Sequence, residues 1–219
     1  MNSFYTNVAT DINTARTDFL KKLNLDLCDK SVLETGCGGK GDITKCLLEY
    51  TNKITLNDSR KENILSLQEN IRTNLEYNTC DLNTDCDGEF DVIISFGTLY
   101  HLDKPANAIK IMSESTRELM VISTCSNGKD DGIRYVAEQG QNQSSTGTGC
   151  RPGRLWVANE LKKYFSYVYF TTAQPEFNEF NKDWTSQEAT NNARFFIIGS
   201  NVNLDSNPKL TKNPPLIYE

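Results

Sequence analysis

The chain has 219 residues, of which 37% are hydrophobic, enough for one sizeable core and few for two full domains. Its formal net charge of −6 disfavours proteins that bind nucleic acid tightly through a basic surface. Seven cysteines without a C-x-x-C pair disfavour a secreted disulfide scaffold, and a single histidine disfavours a zinc site. No apolar run reaches membrane-spanning length, so a cytoplasmic, soluble protein is expected.

The first predicted element is a helix near the amino terminus. The segment TDINTARTDFLKKL carries apolar residues at helical spacing, namely Ile12, Ala15, Phe19 and Leu20. Residues 1–30 are therefore predicted to form a helical segment that covers part of the domain that follows.

Strands and helices then alternate. Short buried strands are predicted at SVLE, KITLND, FDVIISFG and ELMVIST, a weaker one near YNTCDL, and helices at ITKCLLEY, RKENILSLQENI and PANAIKIMSES. Such βαβα order is typical of an α/β fold, a mainly parallel sheet with helices on both faces.

A polar, glycine-rich segment, residues 126–153, interrupts this order. It is too long for a simple connection, so it is either a functional lid or a disordered loop. After it, RLWVANELKKYF predicts a helix, and YVYFTT and RFFIIGS predict two final strands. Residues 201–219 are polar, contain three prolines and are predicted to form a mobile tail.

A glycine-rich loop follows the first strand. The stretch SVLETGCGGKGD places Gly36, Gly38 and Gly41 in the spacing G-x-G-x-x-G, which in dinucleotide-binding folds meets a pyrophosphate. A carboxylate at Glu34 would repel that ligand, but it suits a cofactor with a cationic end, such as S-adenosylmethionine with its ammonium and sulfonium groups. The loop therefore favours S-adenosylmethionine over NAD, although the glycines alone are equally explained as an ordinary strand-to-helix turn.

Two further acids follow the second and third strands. Asp58 ends KITLND, where a carboxylate can accept both ribose hydroxyls of an adenosine, and Asp81 lies in TCDLN, where it can accept from an adenine amino group beside Leu82. Taken singly, Asp58 could be a helix N-cap and Asp81 a solvated turn acid. Because the carboxyl ends of parallel strands meet at one edge of a sheet, these acids and Glu34 are predicted to form one crevice.

The order of these motifs resembles that of the class I S-adenosylmethionine-dependent methyltransferases. The matching segments are ETGCGGKG, LNDS, TCDLN and FDVIISFGTLYHLDKP, from about residue 31 to 125. The resemblance implies a Rossmann-like, doubly wound, seven-stranded, mostly parallel sheet with an antiparallel last strand. It also implies a methyltransferase domain at 31–200, whose cofactor site is covered by residues 1–30, and S-adenosylhomocysteine as the product of the cofactor. The expected cofactor contacts are Glu34, Gly36, Gly38, Gly41, Asp58, Ser59, Asp81, Leu82, Ser95 and Phe96.

The segment after the fourth strand bears on the methyl acceptor. It lacks the acid or Asn followed by two prolines and an aromatic residue that marks DNA amine methylases, and the chain lacks a Pro-Cys pair for attack on cytosine carbon 5. Metal-dependent catechol-type enzymes carry an aspartate where Ser95-Phe96-Gly97 stands and an Asp-Asn pair where Ser126-Asn127 stands. A metal-independent reaction is therefore expected, and magnesium held by Asp130 and Asp131 is the alternative.

His101 is the only imidazole available to remove a proton from an alcohol acceptor, so it is the predicted catalytic base. A packing or substrate-contact role for His101 is the alternative, in which case Tyr100 or the pair Asp130 and Asp131 would be the base. Tyr100, Arg151 and Arg154 are predicted to contact the substrate, the two arginines by clamping a carboxylate or phosphate. The alternative for these arginines is a solvated helix start.

The sequence thus predicts O-methylation of a small molecule or glycan hydroxyl. One alternative is modification of an RNA base, because LYHLDKP and RPGRLWVANELKKYF are similar to segments of wobble-uridine modifying enzymes, although the acidic balance disfavours a nucleic-acid partner. Another is a protein that binds S-adenosylmethionine without turnover. No membrane partner is expected, and the oligomeric state stays open.

Overall fold

The computed structural model describes residues 3–71, 75–140, 143–186 and 193–219. The first half contains α1 (Ser3–Leu23), β1 (Val32–Thr35), α2 (Asp42–Leu47), β2 (Ile54–Asn57), α3 (Lys61–Asn70), β3 (Glu76–Asn78), β4 (Phe90–Phe96), a 3-10 turn (Leu99–His101), α4 (Pro105–Glu114) and β5 (Thr116–Cys125). The second half contains β6 (Ile133–Ala137), β7 (Thr148–Pro152), α5 (Arg154–Leu161), β8 (Tyr167–Thr171), β9 (Arg194–Ser200) and β10 (Leu210–Thr211).

The main sheet has the strand order β10-β8-β9-β5-β4-β1-β2-β3. Strands β1 to β5 pair in parallel, and β9 runs antiparallel to both of its neighbours, β5 and β8. The predicted Rossmann-like, mostly parallel sheet with an antiparallel last strand is confirmed. The described part of the chain adds an eighth strand, because β10 pairs antiparallel with β8 at the sheet edge.

Apolar side chains alternate between the two faces of the buried central strands. Along β4, Val92 and Ile94 join a core with α1, α2 and α3, whereas Ile93 joins a second core with α4 and α5. Both faces of the parallel strands are therefore covered, which explains the consecutive apolar residues 92–94 of β4 and 119–122 of β5.

The register of the central strands brings their carboxyl ends to one edge. Thr35, at the end of β1, pairs with Asn57 of β2 and with Ser95 of β4. The loops that leave these strands consequently lie side by side and form the site described below.

Residues 201–219 pack against the rest of the chain, in contrast to the predicted mobile tail. Besides β10, Ile217 forms a bridge with Asp183, the Trp184 N–H donates to the Leu216 carbonyl at 2.8 Å, and Tyr218 is buried. The prediction relied on the polar composition of this segment, which gives no information on the pairing of its backbone groups with the sheet and with residues 182–184.

Residues 126–153 contain the antiparallel pair β6 and β7, so the described part of this segment is a hairpin and the alternative of a disordered loop is wrong for it. Residues 141 and 142 of the predicted lid lie outside the described residues. Among the helices that are described, none combines the length and apolarity needed to cross a membrane.

Candidate functional site

A cavity of about 560 Å³ opens at the carboxyl edge of the sheet, a size typical of small-molecule sites. Its walls include the loops after β1, β2, β3 and β4, part of α1 and the hairpin segment 143–145. Eleven of the predicted site residues line it, namely Glu34, Gly36, Gly38, Gly41, Asp58, Ser59, Asp81, Leu82, Phe96, Tyr100 and His101.

The glycine loop approaches the turn after β4 closely. Gly36 has φ +61°, and a β-carbon placed there would lie 2.2 Å from Thr98 Oγ1. Thr98 Oγ1 in turn donates to the Thr35 carbonyl at 2.8 Å. Gly38 also has positive φ but faces open space, so the loop leaves a cradle in the cavity wall that a side chain would fill.

Glu34 is a buried carboxylate beside this cradle, with 2% of its surface exposed. Its Oε2 accepts a hydrogen bond from Thr44 Oγ1 at 2.7 Å. Burial raises the pKa of Glu34 to about 8, because Thr44 offsets the desolvation only in part and Asp42 adds repulsion. A cationic group in the cavity would stabilise the ionised form of this side chain.

The two other predicted acids stand at neighbouring strand ends. Asp58 Oδ2 accepts from the Gly38 N–H at 3.0 Å, and its Oδ1 accepts from the Arg60 N–H at 2.9 Å. Asp81 Oδ1 accepts from the Asn83 N–H at 2.9 Å. The structure thus brings all three predicted acids to one cavity, with Asp58 joining the loops after β1 and β2.

His101 has a carboxylate partner that the sequence analysis missed. Its Nδ1 lies 2.6 Å from Glu138 Oε2, and Arg151 Nη1 lies 3.1 Å from Glu138 Oε1. Burial alone would raise the pKa of Glu138, but His101 and Arg151 outweigh it and the pKa is lowered. No sequence signal links His101 to Glu138, because the contact exists only through the fold of the hairpin.

Two arginines that the sequence analysis did not single out also line the cavity. They are Arg16 from α1 and Arg194 at the start of β9. Arg16 stands four residues after Ile12 and four before Leu20, on the buried stripe of the helix. A charged residue on an apolar stripe was the signal that could have identified it.

The structure corrects the placement of Arg154. This side chain is fully buried away from the cavity, where its Nε donates to Asp130 Oδ1 at 2.6 Å and its Nη1 to the Pro215 carbonyl at 2.5 Å. Its guanidinium also stacks on Trp184, 3.9 Å from the ring centroid. Arg154 therefore joins α5 to the C-terminal segment, and this burial excludes the predicted substrate contact.

Two other predicted contacts lie behind the cavity wall. Ser95 is fully buried within β4, and Arg151 supports Glu138 and donates to the Tyr100 carbonyl at 3.3 Å. Within the described residues, no group of three or more His, Cys, Asp or Glu side chains is placed to hold a metal ion.

Residues 33–118 match the family model of a methyltransferase domain. The N-terminal domain of EvdMO1, whose structure was solved in the presence of S-adenosylhomocysteine and D-fucose, has the same fold with a TM-score of 0.63 at 18% identity, over 86% of this chain and 82% of that one. An S-adenosylmethionine-dependent methyltransferase from Mesorhizobium loti gives 0.61 at 12% identity, over 85% and 97%. The N-methyltransferase NodS from Bradyrhizobium japonicum WM9, in complex with S-adenosylhomocysteine, gives 0.56 at 17% identity, over 86% of each chain.

No curated protein matches the chain in sequence. The match to the family model covers the strands and loops that carry Glu34, Asp58 and Asp81, and the shared fold extends over most of the chain. Residues 33–118 are thus similar to a methyltransferase domain, and most of the chain shares the fold of solved S-adenosylmethionine-dependent methyltransferases, in agreement with the class I resemblance.

Proposed function

We propose that the protein transfers a methyl group from S-adenosylmethionine to a hydroxyl oxygen of a small molecule or glycan. The observation that carries the choice of a hydroxyl is the pair His101 and Glu138, 2.6 Å apart, with His101 on the cavity wall. An alcohol must lose its proton during methyl transfer, and an imidazole oriented by a carboxylate is a common general base.

The cavity residues fit the proposed cofactor. Glu34 offers a buried carboxylate to a cationic amino-acid end, Gly38 leaves room for close approach, and Asp58 and Asp81 offer carboxylates to the ribose and adenine. When bound, S-adenosylmethionine supplies a methyl group activated by a sulfonium. Crystals of the fold relatives EvdMO1 and NodS with S-adenosylhomocysteine support this assignment.

The protein's own residues position and deprotonate the acceptor. Glu138 holds the Nδ1 side of His101, which leaves Nε2 to accept the hydroxyl proton as the new carbon–oxygen bond forms and the sulfur–carbon bond breaks. Residues 143–145 contribute to the cavity wall and would limit access of water.

The size of the cavity supports a compact acceptor. About 560 Å³ accommodates the cofactor together with a sugar-sized or small aromatic group. The presence of D-fucose with the EvdMO1 domain is consistent with a sugar hydroxyl. The net charge of −6 disfavours RNA as the acceptor.

The first test is calorimetry with S-adenosylhomocysteine on the wild type and on Asp58→Ala. The variant should bind more weakly by about 1–3 kcal/mol, the scale of a charge-assisted hydrogen bond. Tighter binding of NAD than of S-adenosylhomocysteine would contradict the cofactor assignment.

The second test is incubation with methyl-labelled S-adenosylmethionine and separated small-molecule, glycan and RNA fractions. Label should appear in a small-molecule or glycan fraction as an alkali-stable methyl ether, and EDTA should not reduce it. Label in RNA would support the wobble-uridine alternative. Binding without transfer to any fraction would support a catalytically silent protein.

A further inference from the structure

We infer that Arg16, Arg194 and Tyr100 bind an anionic group, a carboxylate or a phosphate, on the methyl acceptor. This inference rests on the proposed function, because it names the class of acceptor that the same cavity takes. Its basis is a pair of guanidinium groups on the cavity wall whose hydrogen-bonding capacity is incompletely used.

Arg16 has only 4% of its surface exposed. Its Nη1 donates to the neutral amide oxygen of Asn13 at 2.9 Å, whereas Nε and Nη2 have no well-formed hydrogen bond to any described residue. Burial lowers the pKa of Arg16 to about 10, against a smaller opposing effect of the nearby Tyr100 phenol. A buried guanidinium without a carboxylate partner is costly, and a bound anion would supply the missing charge and acceptors.

Arg194 also lies close to Tyr100. Its guanidinium carbon lies 5.0 Å from the Tyr100 ring centroid, and its Nε donates to Glu179 Oε2 at 2.6 Å. Nη1 of Arg194, like the two nitrogens of Arg16, finds no acceptor in the described part of the chain. Since Glu179 compensates one of the two guanidinium charges, the arginine pair retains a net charge that suits one anion.

The position of these groups favours the acceptor over the cofactor as the source of the anion. Tyr100 adjoins the proposed base, and the Tyr100 and His101 ring centroids are 4.1 Å apart. Glu34, the proposed partner of the cofactor's cationic end, instead bonds Thr44 of α2. An anion held between Arg16 and Arg194 would therefore lie beside His101, where the acceptor must enter.

Equilibrium dialysis with labelled inorganic phosphate provides the test, with and without saturating S-adenosylhomocysteine. The wild type should bind one phosphate per chain in both conditions, and Arg194→Gln should weaken that binding about tenfold or more, the effect of losing one charge-assisted hydrogen bond. Arg194→Lys, which keeps the positive charge, should lose less affinity for phosphate than Arg194→Gln. Arg117→Gln is the matched control, because Arg117 is an exposed arginine paired with Glu89 at 3.0 Å.

The outcomes separate the inference from the proposed function. Absence of phosphate binding by the S-adenosylhomocysteine complex, or equal losses in Arg194→Gln and Arg117→Gln, would overturn the anion site and leave the cofactor assignment intact. Failure of S-adenosylhomocysteine to bind would overturn the proposed function, while phosphate binding to the free protein would still be measured. A further arm compares S-adenosylhomocysteine with 5′-methylthioadenosine, which lacks the amino-acid end. If Arg16→Lys weakens only S-adenosylhomocysteine, the anion belongs to the cofactor and the inference is wrong.

Discussion

The two carboxylate oxygens of Glu138 contact different residues: Oε2 lies 2.6 Å from His101 Nδ1, and Oε1 lies 3.1 Å from Arg151 Nη1. The carboxylate follows β6 of the hairpin, whereas His101 belongs to the 3-10 turn after β4. This contact joins the hairpin to the turn that carries the proposed base. The orientation of His101 therefore depends on a residue outside the region matched by the family model, 33–118.

The first prediction concerns this pair. His101→Gln should lower kcat by about 10²–10⁴, the usual contribution of a general base. Glu138→Gln should lower it by a smaller factor, because the imidazole remains but loses the carboxylate that orients it. The affinity for S-adenosylhomocysteine should not change in either variant. Glu118→Gln, at a partly exposed carboxylate paired with Lys30, is the control. Full activity of His101→Gln would leave only a packing or substrate-contact role.

A second prediction follows from the raised pKa of Glu34, about 8 against an ordinary value of 4.5. Because folding raises the pKa of this carboxyl group, the protonated group contributes its full stabilisation of the folded state below the ordinary pKa of 4.5. This contribution is lost as pH rises through about 8. Urea unfolding of the free protein should therefore show a loss of stability between pH 5 and pH 8 that Glu34→Gln lacks, with a slope of at most about 1.4 kcal/mol per pH unit.

Cofactor binding should also change the protonation state of Glu34. An ammonium near Glu34 favours the carboxylate, so S-adenosylhomocysteine should release protons on binding near pH 7. Calorimetry in two buffers of different ionisation enthalpy measures this release, and Glu34→Gln should abolish it. Equal proton release in wild type and variant would mean that another group titrates.

The third prediction uses the close approach of Gly36 to Thr98. Ala at position 36 would place a β-carbon 2.2 Å from Thr98 Oγ1, whereas a β-carbon added at Gly38, which has a similar positive φ, would meet no atom within 4 Å. Gly36→Ala should be less stable than Gly38→Ala by about 1–3 kcal/mol, since only the former adds a clash to the backbone strain. Gly38→Ala should instead weaken cofactor binding. Chemical denaturation of both variants measures the difference, and equal losses in the two would decide against this reading of the loop.

These sites show what the sequence could predict. The order of buried strands predicted the sheet, and the coincidence of parallel strand ends was enough to place Glu34, Asp58 and Asp81 in one cavity. Those contacts follow from topology alone. The partner of His101 does not, because Glu138 is 37 residues away and arrives through a hairpin whose docking has no local signal.

Arg154 illustrates the opposite error. Its place after a polar, glycine-rich segment predicted a substrate clamp, yet Trp184 and the C-terminal Tyr218 bury it. Sequence composition around Arg154 describes its neighbours along the chain, whereas its contacts Asp130, Trp184 and Tyr218 are more than twenty positions away in the sequence. Only the packed structure reveals that contact.

The fourth prediction tests this buried role. Arg154→Met removes the partner of Asp130 and the donors to Pro215 and Tyr218, so it should destabilise the protein by about 2–4 kcal/mol, near the lower end because Asp130 keeps some contact with solvent. Limited proteolysis should then cut within residues 201–219 sooner than in wild type. Arg134→Met, at an exposed position of β6, should change neither property. At temperatures where the variant remains folded, an altered KM for the acceptor with unchanged stability would restore the substrate-clamp interpretation.

The last prediction concerns the hairpin segment 143–145 as a ligand-dependent cover of the cavity. Arg60, two positions after the proposed ribose-binding Asp58, donates through Nη2 to the Gln143 carbonyl, and the Ser144 N–H donates to Glu138 Oε2 at 3.2 Å. The segment is therefore held on one side by the cofactor loop and on the other by the carboxylate that orients His101.

If this segment gates the site, ligands that occupy the cavity should stabilise its closed position. Proteolytic cleavage within 126–153 should slow when S-adenosylhomocysteine and an acceptor are both present. Arg60→Ala, which removes a hydrogen bond from a partly exposed side chain, should speed that cleavage and lower kcat/KM by about 3- to 10-fold. Lys61→Ala, the adjacent exposed position, is the matched control and should leave both unchanged. Cleavage that ignores every bound ligand, together with wild-type kcat/KM in Arg60→Ala, would show that the hairpin is a fixed wall of the cavity, because a gate must respond to the occupant it encloses.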